Sequence, residues 1–139
     1  MGSWNAIISA MEESVFTRII KGEIPSYKVY EDDKTFAFLD IHPVVPGMTL
    51  VITKNQVASF EDLEESDYHA LWETVKKVAQ KMREVFPDSL KIAVQVEGLE
   101  VAHVHVKVFP LHTVEDFRKQ PSEEVDSKQL ELLVEKMRF

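Results

Sequence analysis

The 139-residue chain contains no cysteine, which excludes disulfide bonds and thiolate metal sites. No apolar run approaches the roughly 20 residues that a membrane-spanning helix needs. Basic residues are the minority, 16 against 24 acidic ones, and the formal net charge is −8. This balance argues against a surface that binds nucleic acid or anionic membranes over its whole extent. It still permits a small local anion site.

The N-terminal residues 1–13 are interpreted as a leader or extension. Their apolar run, Ala6-Ile7-Ile8, has no basic segment before it, so a secretory signal peptide is not expected. The protein is therefore predicted to be cytoplasmic. Residues 14–139 are 126 positions of ordinary globular composition, and they are predicted to form one domain with a real core.

Hydrophobic periodicity predicts three helices and five strands. The helices are expected at 14–22, 66–86 and 122–137, and the second carries an apolar stripe at i, i+3 and i+4. The strands are expected at 27–31, 35–41, 49–53, 90–96 and 101–109. Because the link at 32–34 is too short for a crossover, neighbouring strands are expected to pair antiparallel. The predicted fold class is α+β, a five-stranded antiparallel sheet covered by helices.

The last predicted strand carries the candidate chemistry. Its valines alternate with His103, His105 and Lys107, so these three basic side chains are expected on one face, roughly 6–7 Å apart along the strand. A row of this kind suits an anion better than a core. We therefore expect an anion site on this face.

Three interpretations of the two histidines stay open on the residues alone. They are compatible with a metal site, but Lys107 has no lone pair to offer, so a third ligand would have to come from elsewhere. They are also compatible with two structural histidines on a half-buried face, which for an isolated His-x-His in a strand is the favoured interpretation. The third interpretation is nucleophilic catalysis at phosphorus, in which a neutral imidazole attacks. The ammonium would then disfavour imidazolium and stabilise phosphoryl oxygens.

The sequence resembles the histidine triad (HIT) family, whose motif is His-φ-His-φ-His-φ-φ with φ apolar. Here the motif reads His103-Val-His105-Val-Lys107-Val-Phe109. The likeness spans about residues 14–112, and further motifs match in the family's order: Phe16-Thr-Arg-Ile-Ile-Lys-Gly-Glu-Ile-Pro25, Tyr30-Glu-Asp-Asp33, Ala37-Phe-Leu-Asp-Ile41 and Pro46-Gly-Met-Thr-Leu-Val-Ile52. Several collinear motifs make this resemblance far more specific than His-x-His alone.

The resemblance implies a role for each matching residue. His105 would attack the α-phosphorus and form a nucleotidyl-histidine intermediate, from which water releases a nucleoside monophosphate. His103 would position this nucleophile, Lys107 would stand at the third histidine, and Asp40 would hold the ribose hydroxyls. The implied walls of the base pocket are Ile19, Ile24, Phe38 and Ile41, and the implied phosphate loop contains Gly98, Leu99 and Glu100. Without the resemblance, the apolar residues are equally compatible with a core, and Asp40 with a turn cap.

The sequence departs from the family pattern at several positions. Lys107 keeps hydrogen-bond donors and adds a charge, whereas Leu99 removes a donor that many members place near the phosphates. Ser14, Thr17 and Met48 are matched to the cysteine, cysteine and histidine that hold structural zinc in many bacterial members. No zinc is therefore predicted there, and no cofactor is predicted elsewhere.

The leading hypothesis is an enzyme, a hydrolase or phosphoramidase that acts on a purine nucleotide derivative or a dinucleoside polyphosphate. The competing hypothesis is a nucleotide-binding sensor or partner-binding module without turnover, which the changes at 99 and 107 motivate. The resemblance also implies a homodimer with a continuous ten-stranded sheet, formed through the long helix and an edge strand. Nucleic-acid and membrane partners are not expected.

Overall fold

The computed structural model describes residues 12–122 and 125–139, so most of the predicted leader lies outside the described residues. Five strands form one antiparallel sheet in the order β1-β2-β3-β5-β4. The strands are β1 (Lys28–Glu31), β2 (Thr35–Leu39), β3 (Thr49–Thr53), β4 (Lys91–Gln95) and β5 (His105–Leu111). The helices are α1 (Val15–Ile20), α2 (Glu65–Val85) and α3 (Ser127–Met137). The predicted α+β class and five-stranded antiparallel sheet are confirmed.

Helices α2 and α3 cover one face of the sheet. The stripe of α2 buries Leu71, Val75, Val78 and Met82, which follow one another at intervals of three or four residues and so share one side of the helix. They form one core with Val51 and Val106 of the sheet and with Leu130, Val134 and Met137 of α3. Burying each of these side chains contributes about 1.5–3 kcal/mol. None of the helices in the described part of the chain combines the length and apolar character needed to cross a membrane.

Helix α3 begins later than the sequence predicted, at Ser127 rather than 122. The side chain of Asp126 caps the helix by accepting the backbone N–H of Lys128, at 3.3 Å. The C-terminal end of α3 reaches the sheet edge, where the N–H of Phe139 donates to the carbonyl of Val29. The apolar stripe alone could not locate the first turn, because the capping aspartate sets the start.

Strand β5 is also displaced from its predicted bounds of 101–109. It begins at His105 because the backbone turns just before it: the N–H of His103 donates to Val101 and that of Val104 to Val57. The strand extends to Leu111 and contains Pro110. Pro110 lies past Val108, the last residue of β5 that pairs with β3, so its missing N–H leaves no ladder bond broken on that side.

Candidate active site

The second face of the sheet holds the candidate site, under helix α1. Strand pairing places Ile52 beside His105 and Leu50 beside Lys107, with Phe38 beyond Leu50 on β2. Because neighbouring strands lie about 4.8 Å apart, Phe38 and Lys107 are roughly 10 Å apart across this face. Alternation therefore places apolar side chains and two of the three predicted basic residues, His105 and Lys107, on the same surface.

The imidazole of His105 is held by a backbone group. Its Nδ1 lies 2.8 Å from the carbonyl oxygen of His103, and since a carbonyl only accepts, Nδ1 carries the proton. In the neutral ring the lone pair is therefore on Nε2. The residue keeps 6% of its surface exposed. This tautomer is the one that an attacking imidazole at position 105 requires.

The imidazole of His103 is bonded at both nitrogens. Nε2 donates to the carbonyl of Thr53 at 2.6 Å, so Nδ1 must accept, and the hydroxyl of Ser14 donates to it at 2.6 Å. Burial lowers the pKa of this imidazole, which holds it neutral. His103 precedes β5 and is fully buried, with both ring nitrogens bonded, so its imidazole has no free nitrogen to offer an anion on this face. Its backbone carbonyl, rather than its ring, contacts the neighbouring histidine.

Hydrogen bonds at the N-terminus of helix α1 hold the buried histidine of the site in place. Ser14 caps this helix by accepting the N–H of Thr17 at 3.0 Å, and it donates its own hydroxyl proton to His103. The same cap is tied to the loop after β3, where Gln56 accepts from the N–H of Ser14 and from the hydroxyl of Thr17. One polar cluster therefore links α1, the loop after β3 and the buried histidine.

Phe16 packs against both imidazoles. Its ring centroid lies 5.0 Å from that of His105 and 5.7 Å from that of His103, in edge-to-face geometry, and 5.5 Å from that of Phe38. Ile19 packs against the same cluster. The ring of Phe16 thus contacts Phe38 and both histidines, and Ile19 packs against the apolar cluster to which Phe16 and Phe38 belong.

Lys107 forms an ion pair on this face. Its ammonium lies 2.9 Å from Oε2 of Glu97, and Oε1 of the same carboxylate accepts the N–H of Leu99 at 2.7 Å. These two donors lower the pKa of Glu97. Gly98 has a φ of +67°, a conformation that favours glycine and that lets the loop fold back over its own carboxylate. Glu97 therefore links the predicted phosphate loop, residues 98–100, to Lys107. Glu97 was not among the site residues predicted from the sequence.

The remaining predicted residues line cavities or are partly exposed to solvent. Asp40 accepts the N–H of His42 at 2.8 Å, as in the turn-cap alternative, and it lines a cavity of about 270 Å³ that reaches α3. Ile41 is 37% exposed and lines another cavity beside α3, while Ile24 is half-buried. Glu100 borders a third cavity, of about 300 Å³, with Ser14 and Gln56. Leu99 is 88% exposed.

The assignment of Met48 to the zinc-ligand positions is wrong. Met48 packs with Val45 and Phe109 in a separate apolar cluster, whereas Ser14 and Thr17 converge on Gln56 and His103. The His-x-His metal alternative also finds no support in the bonding, because both ring nitrogens of His103 already have partners.

Three contributors to the site escaped the sequence analysis as functional residues: Ser14, Phe16 and Glu97. Ser14 carried a usable signal, since a serine directly before a short apolar helix is a typical N-cap. Phe16 was visible only as a helix core position. Glu97 had no local signal, because its partner Lys107 is ten residues away and meets it only through the β4–β5 pairing.

Comparison with known proteins identifies the family of this chain. The model of the HIT domain matches residues 21–114, which is more than half of the sequence. An uncharacterised HIT-like protein of Methanocaldococcus jannaschii is 36% identical over 99 residues, which cover 69% of this chain and 77% of that protein. An adenosine 5′-monophosphoramidase of Saccharomyces cerevisiae is 36% identical over 100 residues, 69% of this chain and 61% of that enzyme.

Solved structures agree with this match. A HIT-like protein of Bartonella henselae superposes with a TM-score of 0.81 at 29% identity, over 91% of this chain and 94% of that one. A hypothetical histidine triad nucleotide-binding protein of Sulfolobus tokodaii superposes with a TM-score of 0.74 at 29% identity, over 88% of each chain. The site geometry, the sheet order and these similarities lead to one conclusion: the chain belongs to the HIT family.

Proposed function

We propose that the protein is a nucleotide hydrolase or phosphoramidase that acts at the α-phosphorus of a purine nucleotide derivative or dinucleoside polyphosphate. The observation that carries this proposal is the tautomer of His105, whose Nδ1–H is held by a backbone carbonyl. The Nε2 lone pair attacks the α-phosphorus, the bond from phosphorus to the leaving group breaks, and the leaving group takes a proton from solvent water. A second water then cleaves the phosphorus–Nε2 bond of the nucleotidyl-histidine, which releases the nucleoside monophosphate and restores neutral His105. The similarity to an adenosine 5′-monophosphoramidase supports this reaction class.

The other residues of the proposal act around this nucleophile. Lys107 takes the place of the third triad histidine and stabilises the phosphoryl oxygens, and His103 anchors the nucleophile through its carbonyl. Asp40 is assigned to the ribose hydroxyls, and the phosphate loop to Gly98, Leu99 and Glu100. The base pocket is assigned to Ile19, Ile24, Phe38 and Ile41.

The test of this proposal is hydrolysis of an adenosine phosphoramidate. His105→Ala is expected to lower kcat by at least about 10³-fold while the far-UV circular dichroism stays unchanged. His69→Ala is the matched control, because His69 lies on the exposed side of α2 and contacts Glu65 instead of the site. Equal activity of His105→Ala and the parent protein would contradict a nucleophilic role for His105.

A second candidate function is nucleotide binding without turnover. One observation favours it: Glu97 already occupies both the Lys107 ammonium and the Leu99 N–H, two donors at the phosphate end. Calorimetry that shows nucleotide binding, with no product after a long incubation at micromolar protein, would select this function over hydrolysis.

We further propose a homodimer with a continuous ten-stranded sheet. β4 is the last strand of the sheet order, and Val94 on it is 46% exposed, which leaves an edge that a second copy can pair with. Light scattering at micromolar concentration is expected to give twice the monomer mass. A monomer mass would contradict this assembly.

A further inference from the structure

Glu97 occupies two donors at once. Oε2 of its carboxylate accepts from the Lys107 ammonium at 2.9 Å, and Oε1 accepts from the backbone N–H of Leu99 at 2.7 Å. An ammonium and a backbone N–H that converge on two oxygens of one anion are the groups that proteins also use to hold a phosphoryl group. The carboxylate thus stands where phosphoryl oxygens would find both donors.

The charge of Glu97 persists at neutral pH. The N–H of Leu99 and the ammonium of Lys107 lower its pKa. Glu97 is therefore ionised whenever the site is at neutral pH, and its charge balances that of Lys107. An incoming anion does not meet a free cation; it meets an ion pair.

The ion pair lies next to the proposed nucleophile. Lys107 follows His105 by two residues on the same face of β5, roughly 7 Å along the strand. Gln95 of β4 pairs with Lys107, so the loop that carries Glu97 leaves β4 directly beside this position. The side chains keep 24% (Lys107) and 32% (Glu97) of their surface exposed, so the pair is open to exchange with a ligand.

We propose that Glu97 is a specificity-determining residue, a carboxylate that phosphoryl oxygens must displace from Lys107 and Leu99. This inference rests on the proposed function for the location of the phosphate end. Because the displaced carboxylate stays close to the bound phosphates, its charge disfavours ligands in proportion to their own negative charge. The site therefore discriminates against long phosphate chains, although it contains a lysine.

The test is a binding series with AMP, ADP and ATP at fixed ionic strength, measured by calorimetry on the full chain. Glu97→Gln keeps an oxygen for the Leu99 N–H but removes the charge. For a partly exposed charge, the variant is expected to bind AMP about twofold to fivefold tighter than the parent does, and the gain is expected to grow from AMP to ATP. Adding Lys107→Met to the variant is expected to abolish the gain.

The matched control is Glu73→Gln, which changes the net charge equally on the exposed side of α2. Its affinities are expected to equal those of the parent. Equal affinities of Glu97→Gln and parent for all three nucleotides, an equal gain in the control, or no binding by Glu97→Gln would each overturn the proposal. Turnover is measured separately: binding with the expected charge trend but no hydrolysis would refute the enzymatic function and leave the role of Glu97 intact.

Discussion

Both faces of the sheet contain fully buried residues, but different interactions stabilise them. On the face under α2 and α3, Val106 and Val108 are fully buried among other apolar side chains. On the face under α1, His103 is equally buried, yet both of its ring nitrogens are hydrogen-bonded. Burial alone therefore does not separate core from site in this protein. The hydrogen-bond partners of the buried groups do.

The first prediction concerns the face under α2 and α3, here called the covered face. A substitution that removes packing there has the largest expected effect on stability. Met82 is fully buried in that core, so Met82→Ala leaves a cavity and is expected to lower the free energy of unfolding by about 2–5 kcal/mol. Urea denaturation measures the change, and Lys76→Ala on the exposed side of the same helix is the control, expected within about 0.5 kcal/mol. The kcat per folded molecule should stay unchanged. A loss of kcat in Met82→Ala would show that the two faces are not independent.

The second prediction removes the Ser14 hydroxyl from the face under α1. Ser14→Ala deletes both the cap of α1 and the donor to Nδ1 of His103, and it is expected to lower the free energy of unfolding by about 1–2 kcal/mol. Unlike the packing variant, it should also change the imidazole ¹⁵N shifts of His103, because Nδ1 of the ring loses its hydrogen-bond donor. Ser14→Thr keeps the hydroxyl and is expected to restore both properties. Unchanged ¹⁵N shifts in Ser14→Ala would contradict the assigned bond.

The third prediction concerns pH and is the smallest effect. Burial lowers the pKa of His103 below its usual 6.5, so the unfolded chain takes up a proton at this position at a higher pH than the folded chain does. The stability contributed by neutral His103 is therefore complete above about pH 6.5 and is lost as the pH falls toward the folded pKa. Thermal unfolding between pH 7 and about pH 5 is expected to show this loss.

The matched variant for the pH measurement is His103→Asn, which keeps a donor and an acceptor but does not titrate. Its stability is expected to change less over the same interval. Folding also lowers the pKa of Asp32 and Glu97, whose usual values are 3.8 and 4.5. Their protonation therefore affects stability below the interval from pH 7 to about pH 5. If the stability of variant and parent changed equally with pH over this interval, groups other than His103 would be responsible for the pH dependence.

The sequence predicted the covered face better than the site face, for a physical reason. A stripe such as Leu71, Val75 and Val78 follows from helical periodicity, because burial of apolar groups needs no specific partner. The contacts of Ser14 with His103 and of Glu97 with Lys107 join residues that are 89 and 10 positions apart in the chain. These contacts depend on how α1 packs against the sheet and on how β4 pairs with β5. Neither can be read from the hydrophobic periodicity of the sequence. The late start of β5 at His105 has the same origin, a backbone bond from Val104 to Val57.

The two histidines illustrate the same limit. Alternation placed His103 and His105 on one face and made them look equivalent. In the structure, both ring nitrogens of His103 form hydrogen bonds. In His105, Nδ1 donates to a backbone carbonyl, so Nε2 is the acceptor nitrogen. The alternatives of a structural histidine and a candidate nucleophile thus apply to different residues of the same motif. Only the positions of Thr53 and Ser14, both distant in sequence, could decide between them.

The most direct test of a nucleophilic His105 is intact-mass spectrometry after the protein is mixed with an adenosine phosphoramidate. The reaction is stopped without acid, within milliseconds to seconds of mixing. A transient mass increase of one adenylyl group is expected, mapped by peptide fragmentation to His105 and absent from His105→Ala. Product formation at the normal rate by His105→Ala, or an adduct on any other residue, would contradict it.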